Sequence, residues 1–282
     1  SALRESLELS APDAGQLVWS AEYLLNATQT AVVIDHDNDL YYYELGSREA
    51  RRLTGSPEAE TEVSFSPDGT MVAYVRDHNL MVVDVDGSHE RALTNDGSLT
   101  IRNGILDWVY QEEIYGRGNF RGYWWSPDST HLAYLRLDDS LVPIHPILGY
   151  LPYHPQSEEW PYPKAGDPNP VGWLGVVSAS GGNTTWVTLN ENGADELLIV
   201  NVEWSGDGSQ IAYQIQNREQ TWLNLNLADV TGNTIHLFRE DGAPFEITNT
   251  SVLKPTVRGI NTTAVQLLDG SYEIIVSGTL PP

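Results

Sequence analysis

The sequence predicts an all-β protein of the β-propeller type, built from four-stranded antiparallel blades. The first observation is a repeat in which an aromatic residue precedes a Ser, and an Ala-Tyr pair begins seven residues after that Ser. The three copies are Phe65-Ser-Pro-Asp-Gly69 before Ala73-Tyr74, Trp125-Ser-Pro-Asp-Ser129 before Ala133-Tyr134, and Trp204-Ser-Gly-Asp-Gly208 before Ala212-Tyr213. The second is that each copy joins two apolar segments through a turn rich in Pro, Asp and Gly, which is typical of a β-hairpin. Such units, recurring about every 40 to 50 residues, indicate a propeller.

The spacing between the copies is uneven. Ser66 and Ser126 are 60 residues apart, whereas Ser126 and Ser205 are 79 apart. The extra length predicts insertions at 104–122 and 142–170, and insertions into a regular scaffold are where function usually lies. An immunoglobulin-like sandwich is less favoured, because it does not explain the repeat.

Two weaker patterns extend the repeat towards both ends of the chain. Val18-Trp-Ser20 resembles a degenerate earlier copy, with Leu40-Tyr-Tyr-Tyr-Glu-Leu45 as its later strand. Ala264-Val-Gln-Leu-Leu268 and Tyr272-Glu-Ile-Ile-Val276 flank an Asp-Gly turn and predict one more hairpin. We therefore predict an N-terminal segment over 1–15 and one propeller domain over 16–282, with about four to five blades.

The composition excludes several classes of partner and site. The 15 Lys and Arg residues stand against 39 Asp and Glu, a formal net charge of −24. So acidic a surface repels phosphates, so we expect no nucleic-acid and no membrane partner. The chain has no Cys, which excludes disulfides, thiolate zinc sites and cysteine nucleophiles. No apolar run approaches the roughly 18 residues of a membrane helix, and we predict no cofactor.

The candidate binding site is the pair Glu112-Glu113, within Asp107-Trp-Val-Tyr-Gln-Glu-Glu-Ile114. The α-amine of a peptide has a pKa of about 7.7–8.0, so it is largely protonated at neutral pH and offers three donors. Two adjacent carboxylates can accept most of them, and without a cation they repel each other. Helix neighbours are about 100° apart, so both reach one ligand only from a short, obliquely presented helix.

The alternative is an ordinary solvated acidic helix. Flanking aromatic residues favour a segment made rigid by their packing instead. These residues are Trp108, Tyr110, Tyr115, Tyr123, Trp124 and Trp125.

Three signatures, in order and spacing, resemble one known family. They are Asp107-Trp-Val-Tyr with Glu112-Glu113 and Tyr123-Trp-Trp-Ser-Pro127; Tyr162-Pro-Lys-Ala-Gly166 with Asn169-Pro170; and Gln216-Asn-Arg-Glu-Gln220 followed by Leu223. The chain is similar to the amino-terminal β-propeller region of the dipeptidyl peptidase IV family, the prolyl oligopeptidase-type serine exopeptidases. The likeness extends from around Val18 to Phe245.

The resemblance implies both a fold and a function. The family has an eight-bladed propeller capping an α/β-hydrolase domain, so the resemblance implies that four to five blades are an incomplete set. Its members remove Xaa-Pro or Xaa-Ala dipeptides from peptides with a free N-terminus. Carried over, Glu112 and Glu113 would anchor the substrate amine. A propeller arginine that meets the substrate carbonyl could be Arg117 or Arg121, although either could merely balance local charge. The resemblance also implies a homodimer in the periplasm or outside a bacterial cell.

The catalytic half of such an enzyme is not visible in this chain. A nucleophile elbow needs Gly-X-Ser-X-Gly, and no such pentapeptide occurs. None of the seven His residues has the Ser and Asp context of a triad. We therefore predict that this chain lacks the hydrolase domain and is inactive alone. The alternative is a stand-alone propeller that binds a protein or peptide without catalysis; a carbohydrate-binding propeller, suggested by nine Trp, is weaker because several of them fall at repeat positions.

One acidic loop resembles a metal site only in part. Asp35-His-Asp-Asn-Asp39 has the alternating acids of a calcium loop, but Leu40 occupies its sixth position and Gly46 its twelfth. An EF-hand requires Gly and Glu there. We interpret the segment as a polar blade loop and predict no metal site.

Overall fold

The computed structural model describes residues 23–149, 151, 153–154, 156–189, 196–241, 260–266 and 272–278. Within them the regular secondary structure is almost entirely antiparallel β-strand, as predicted. It divides into two compact units. The first comprises Ser1–Asp107, Phe120–Ser140 and Val177–Asn183, and the second comprises Trp108–Asn119, Leu141–Val176 and Thr184–Pro282.

The first unit contains two complete four-stranded sheets, each formed by consecutive strands. The first sheet has the order β1(Tyr23–Leu25), β2(Ala31–His36), β3(Asp39–Glu44) and β4(Ala50–Arg52). The second has the order β5(Thr61–Phe65), β6(Met71–Arg76), β7(Asn79–Asp84) and β8(Arg91–Ala92). Both are the four-stranded meanders expected of propeller blades.

The third sheet contains the first of the predicted interruptions. Its strands are β9(Ile101–Asn103), β10(Tyr123–Trp125), β11(His131–Asp138), β14(Val171–Ser178) and β15(Thr185–Trp186). The order is β10-β11-β14-β15, and β9 pairs with β11. Between β9 and β10 the chain forms a π-helix, Tyr110–Ile114, and between β11 and β14 it forms a separate two-stranded hairpin, β12(Ile144–Gly149) and β13(Gln156–Pro161).

The fourth sheet and a final hairpin belong to the second unit. The sheet is β16(Leu197–Trp204), β17(Gln210–Asn217), β18(Trp222–Asp229) and β19(Thr234–Asp241), again in sequence order. The hairpin predicted near the end of the chain is confirmed, because β20(Ile260–Gln266) pairs with β21(Tyr272–Gly278). The predicted boundary at residue 16 lies outside the described residues, and the extent of the domain stays a prediction.

A repeated Ser-X-Asp turn connects β5 to β6, β10 to β11 and β16 to β17. In the second sheet the Ser66 hydroxyl donates to Asp68 Oδ1 at 2.6 Å and accepts the Met71 amide at 2.9 Å. Asp68 Oδ1 also accepts the Thr70 amide at 3.0 Å. Ser126 and Ser205 make the same contacts with the residues at equivalent positions. Two short side chains thus satisfy the backbone donors of a tight turn, which is the usual role of Ser and Asp in turns.

A turn of the same kind begins at Asn26, whereas the earlier copy predicted at Val18-Trp-Ser20 lies outside the described residues. Asn26 N donates to Ala31 O at 3.0 Å, as Ser66 N donates to Met71 O at 2.9 Å. The single Asn26 Oδ1 accepts both the Thr30 amide at 2.8 Å and the Ala31 amide at 3.1 Å. One amide oxygen therefore replaces the Ser-Asp pair, which is why the sequence pattern does not reveal this copy.

The core of the first unit lies between its sheets. Ala31, Val33, Leu40, Tyr42 and Leu53 of the first sheet pack against Val72, Tyr74 and Val83 of the second, with Phe65 partly buried beside them. Ala73, Val75, Leu80 and Val82 form a second cluster with Tyr123, Leu132 and Tyr134. The aromatic residue before Ser and the Ala-Tyr pair thus pack between neighbouring sheets, as the repeat predicts.

The acidic loop at Asp35–Asp39 is a hairpin turn between β2 and β3. Asp37 and Asn38 have φ values of 51° and 64°, the left-handed pair expected of a two-residue type I′ turn. This agrees with its interpretation as a blade loop. In the described ranges, no helix reaches the length and hydropathy of a membrane span.

Candidate functional site

The two glutamates lie on a short helix, as predicted. Tyr110–Ile114 forms a single π-helical turn, and the Tyr115 amide donates to Tyr110 O at 2.8 Å. π-helical turns are rare and occur frequently at functional sites. Glu112 and Glu113 are both in this turn.

Buried side chains hold the π-helix within the second unit. Tyr110 is fully buried, and its hydroxyl accepts the Ile199 amide of β16 at 3.2 Å. The rings of Tyr110 and Tyr115 are stacked with centroids 6.3 Å apart. Burial, and then the proximity of Tyr110, raise the pKa of Tyr115 well above its ordinary value. The buried Gln111 accepts the Gly118 amide at Oε1, at 3.0 Å, and so connects the helix to the loop that follows.

The two carboxylates have different surroundings. The side chain of Glu112 is 14% exposed and forms an ion pair with Arg117, whose side chain is 83% exposed. Glu113 is exposed, and it has no ion pair within the described ranges. Of the two candidate arginines, the structure therefore brings Arg117 to the pair. Arg121 belongs to the first unit, where it is exposed and forms an isolated β-bridge with Ile105.

An aromatic contact links the segment of the Glu pair to the base of the inserted hairpin. The rings of Trp108 and Tyr162 meet edge-on with centroids 5.5 Å apart. Tyr162 in turn meets the His145 ring of β12 at 6.0 Å, and its amide donates to Pro143 O at 2.9 Å. Both predicted insertions thus meet within the second unit.

The aromatic residues of β10 have a structural role in the first unit. The Trp125 indole N–H donates to Ser64 Oγ at 3.2 Å, and the Tyr123 hydroxyl lies 2.9 Å from the same oxygen. Burial raises the pKa of Tyr123. These rings therefore anchor β10 to the second sheet rather than face a ligand.

Sequence reasoning missed that Gln111 and the glycines around Arg117 connect the π-helix to the loop that follows it. Gln111 precedes the glutamates, but its role depends on a backbone amide seven positions further on. The available signal was the Gly-Arg-Gly sequence at 116–118, which predicts a tight turn close to the helix.

Comparison with known proteins identifies the family. The family described as the dipeptidyl peptidase IV (DPP IV) N-terminal region matches residues 20–264. The chain belongs to the dipeptidyl peptidase IV family. This family consists of dipeptidyl peptidases of the serine hydrolase class, in which the N-terminal domain pairs with a catalytic hydrolase domain.

Individual relatives agree with this assignment. The chain is 33% identical over 200 residues to dipeptidyl aminopeptidase B of Saccharomyces cerevisiae, which covers 68% of this chain and 24% of the relative. It resembles the crystal structure of dipeptidyl peptidase 4 from Porphyromonas gingivalis with a TM-score of 0.69 and 26% identity, over 78% of this chain and 32% of that one. A structure described as a dipeptidyl aminopeptidase IV from Bacteroides ovatus, 19% identical with a TM-score of 0.62 over 88% of this chain and 34% of that one, shares the fold.

The chain therefore spans about a quarter of the length of the curated relative and about a third of each solved relative. In position it corresponds to the N-terminal region, and it contains no nucleophile elbow. Within the described residues, no group of three or more His, Asp or Glu side chains could hold a metal ion. The chemistry that the site offers is the binding of a cation by two carboxylates.

Proposed function

We propose that this chain is the substrate-recognition domain of a dipeptidyl peptidase, and that Glu112 and Glu113 bind the free amino terminus of the peptide. The observation that carries the proposal is the π-helical turn that presents both carboxylates. Glu113 is exposed and without an ion pair in the described ranges, and Glu112 has only an exposed arginine as its partner. Family membership supports the peptidase context.

The amine anchor also accounts for the release of dipeptides. A protonated amine carries three donors, and two adjacent carboxylates can accept them in a charge-assisted manner. A rigid anchor at the first residue holds the rest of the chain at a set distance from the hydrolase nucleophile. Cleavage after the second residue follows from that distance, whereas a preference for Pro or Ala at that residue would depend on a small apolar pocket of the hydrolase domain.

The test uses the full-length polypeptide that carries this chain. Glu113→Gln and the double variant Glu112→Ala/Glu113→Ala are compared with Glu58→Gln, a change at an exposed glutamate of the first unit. We expect kcat/KM for a free-amine Xaa-Pro substrate to fall roughly 30-fold to several thousand-fold in the double variant. This is because loss of one side of a charge-assisted contact costs about 2–5 kcal/mol, and 1.36 kcal/mol is tenfold. Full activity of the double variant would contradict the proposal.

The second candidate is a stand-alone propeller that binds peptides without catalysis. Its support is the absence of Gly-X-Ser-X-Gly from these 282 residues. The intact mass of the native polypeptide separates the two. A mass well above 31.3 kDa together with labelling by a serine-hydrolase probe favours the peptidase. A mass near 31.3 kDa without labelling favours the binding module.

We further propose that the enzyme is a homodimer located in the periplasm or outside the cell. The inserted hairpin β12–β13 supports a protein contact, because a lone two-stranded hairpin has little stability of its own. Its apolar side chains are largely exposed, and they include Ile144, Ile147 and Leu148. Light scattering of the full-length protein tests the dimer, and replacing Ile147 and Leu148 by Ser is expected to yield monomers. Fractionation of the source cells tests the location.

A further inference from the structure

The loop after the π-helix returns a positive charge to the Glu pair. Arg117 reaches back to Glu112, and its own side chain remains 83% exposed. Glu113 has no ion pair in the part of the chain that the structure describes. In this structure one carboxylate of the pair is therefore neutralised and the other is open.

The backbone of the loop is arranged to hold this arginine. Gly116 and Gly118, on either side of it, have φ values of 101° and 83°, which residues with side chains rarely adopt. The Gly118 amide donates to the buried Gln111 side chain at 3.0 Å, and the Asn119 amide donates to Gly116 O at 3.0 Å. A Cβ at either glycine would meet nothing within 4 Å. The loop backbone is thus hydrogen-bonded to the helix, and the space beside both glycines is open.

The arginine and a substrate amine compete for the same atoms. Guanidinium and ammonium groups are donors only, so an ammonium cannot bind through the arginine and must reach the carboxylate itself. Only 14% of the Glu112 side chain is exposed, which leaves few accessible acceptor positions beside the arginine. Two cations at one carboxylate also repel each other. Simultaneous binding is therefore unfavourable.

We propose that Arg117 is a displaceable counter-ion: it occupies Glu112 in the empty site, and the substrate's amino terminus takes its place. This inference rests on the proposed role of Glu112 and Glu113. Displacement requires little net free energy, because one cation replaces another at Glu112 and the departing guanidinium is already largely in solvent. In the empty site the arginine relieves the repulsion between the two carboxylates, and it swings into solvent when a peptide binds.

The test compares Arg117→Ala with the parent in the full-length enzyme. We expect KM for a free-amine Xaa-Pro substrate, and the inhibition constant of the product dipeptide, to fall by up to about fivefold while kcat is unchanged. Arg218→Ala is the matched control. It removes the same charge from a surface ion pair, Arg218 with Glu196 at 2.6 Å in the same unit, and it should leave both constants unchanged.

Each other outcome contradicts a definite part of the argument. A higher KM in Arg117→Ala means that the guanidinium contacts the bound substrate, and an unchanged KM means that it does not compete. Either result overturns the displacement. The Glu112→Ala/Glu113→Ala variant, measured in the same series, reports on the site itself. If that variant retains full activity, the amine site is wrong, whatever Arg117 does.

Discussion

The Ser-X-Asp turns and the Glu pair both present carboxylates, but the surroundings of these carboxylates differ. Burial opposes ionisation of Asp68, yet hydrogen bonds from its own turn outweigh it and lower its pKa. For Asp207, the same hydrogen bonds lower the pKa to about 2. Glu113, by contrast, has no ion pair in the described residues, and Glu112 is matched only by the exposed Arg117.

This difference separates carboxylates that build the fold from those that can bind a ligand. An acid that accepts several hydrogen bonds from its own turn at one carboxylate oxygen, as Asp68 and Asp207 do, is held in place as part of the fold. Glu113, on a rigid helix and without an ion pair in the described residues, can offer its carboxylate to a ligand. The sequence contains three Ser-X-Asp turns but a single Glu pair on the π-helix. The hydrogen-bond donors around each acid therefore indicate its role better than the number of acids does.

The largest expected effect comes from removing the support of the Glu pair. Tyr110→Ala deletes a fully buried ring that stacks on Tyr115 and whose hydroxyl accepts the Ile199 amide. We expect a loss of about 3–5 kcal/mol in the free energy of unfolding, as for other buried aromatic residues. Urea denaturation followed by circular dichroism measures it. A loss below about 1 kcal/mol would mean that the helix is held mainly by other contacts.

The second prediction contrasts one acid from each region. Asp68→Ala removes the acceptor for the Ser66 hydroxyl and the Thr70 amide, so we expect a loss of roughly 1–2 kcal/mol in stability. Catalysis by the full-length enzyme should be unaffected. Glu113→Ala should do the reverse, with stability within about 0.5 kcal/mol of the parent and a large loss of activity. Thermal unfolding and kcat/KM are measured for both variants. If both lose stability, or both lose activity, the contrast between the two regions is wrong.

The sequence predicted best those regions whose contacts join residues that are close together in the chain. The blade turns are closed by hydrogen bonds within five residues, so their pattern is readable from Ser66, Ser126 and Ser205. The Asn26 turn was not predicted, because one amide oxygen there accepts two backbone hydrogen bonds that a Ser and an Asp share in the other copies. The short helix with its two glutamates was predicted through family resemblance. Its anchor, the contact between Tyr110 and Ile199, joins residues 89 apart, and no local pattern indicates such a contact.

The third prediction concerns a substitution that stabilises one of the turns. The second position of the turn is Pro67 and Pro127 in two copies but Gly206 in the third. Gly206 does not have a positive φ, and a Cβ there would meet nothing within 4 Å. Gly206→Pro should therefore raise stability by about 0.4–1 kcal/mol, chiefly by restricting the unfolded chain. Gly206→Ala serves as a control with a smaller gain. Destabilisation by the proline would show that this copy of the turn differs from the other two.

The smallest expected effect is a pH dependence from the turn acids. Hydrogen bonds from the Ser205 hydroxyl and from Ser209 lower the pKa of Asp207 to about 2, from an ordinary value of 3.8. A pKa lowered by folding stabilises the protein at pH values above 3.8, and this contribution is lost as the pH falls towards 2. Asp207→Asn keeps an acceptor but does not titrate. Its melting temperature should lie below that of the parent at pH 5, and the difference should shrink steadily between pH 4 and pH 2. A difference that stayed constant over that interval would mean that the turn does not depend on the charge of Asp207, and the contrast with the Glu pair would then rest on geometry alone.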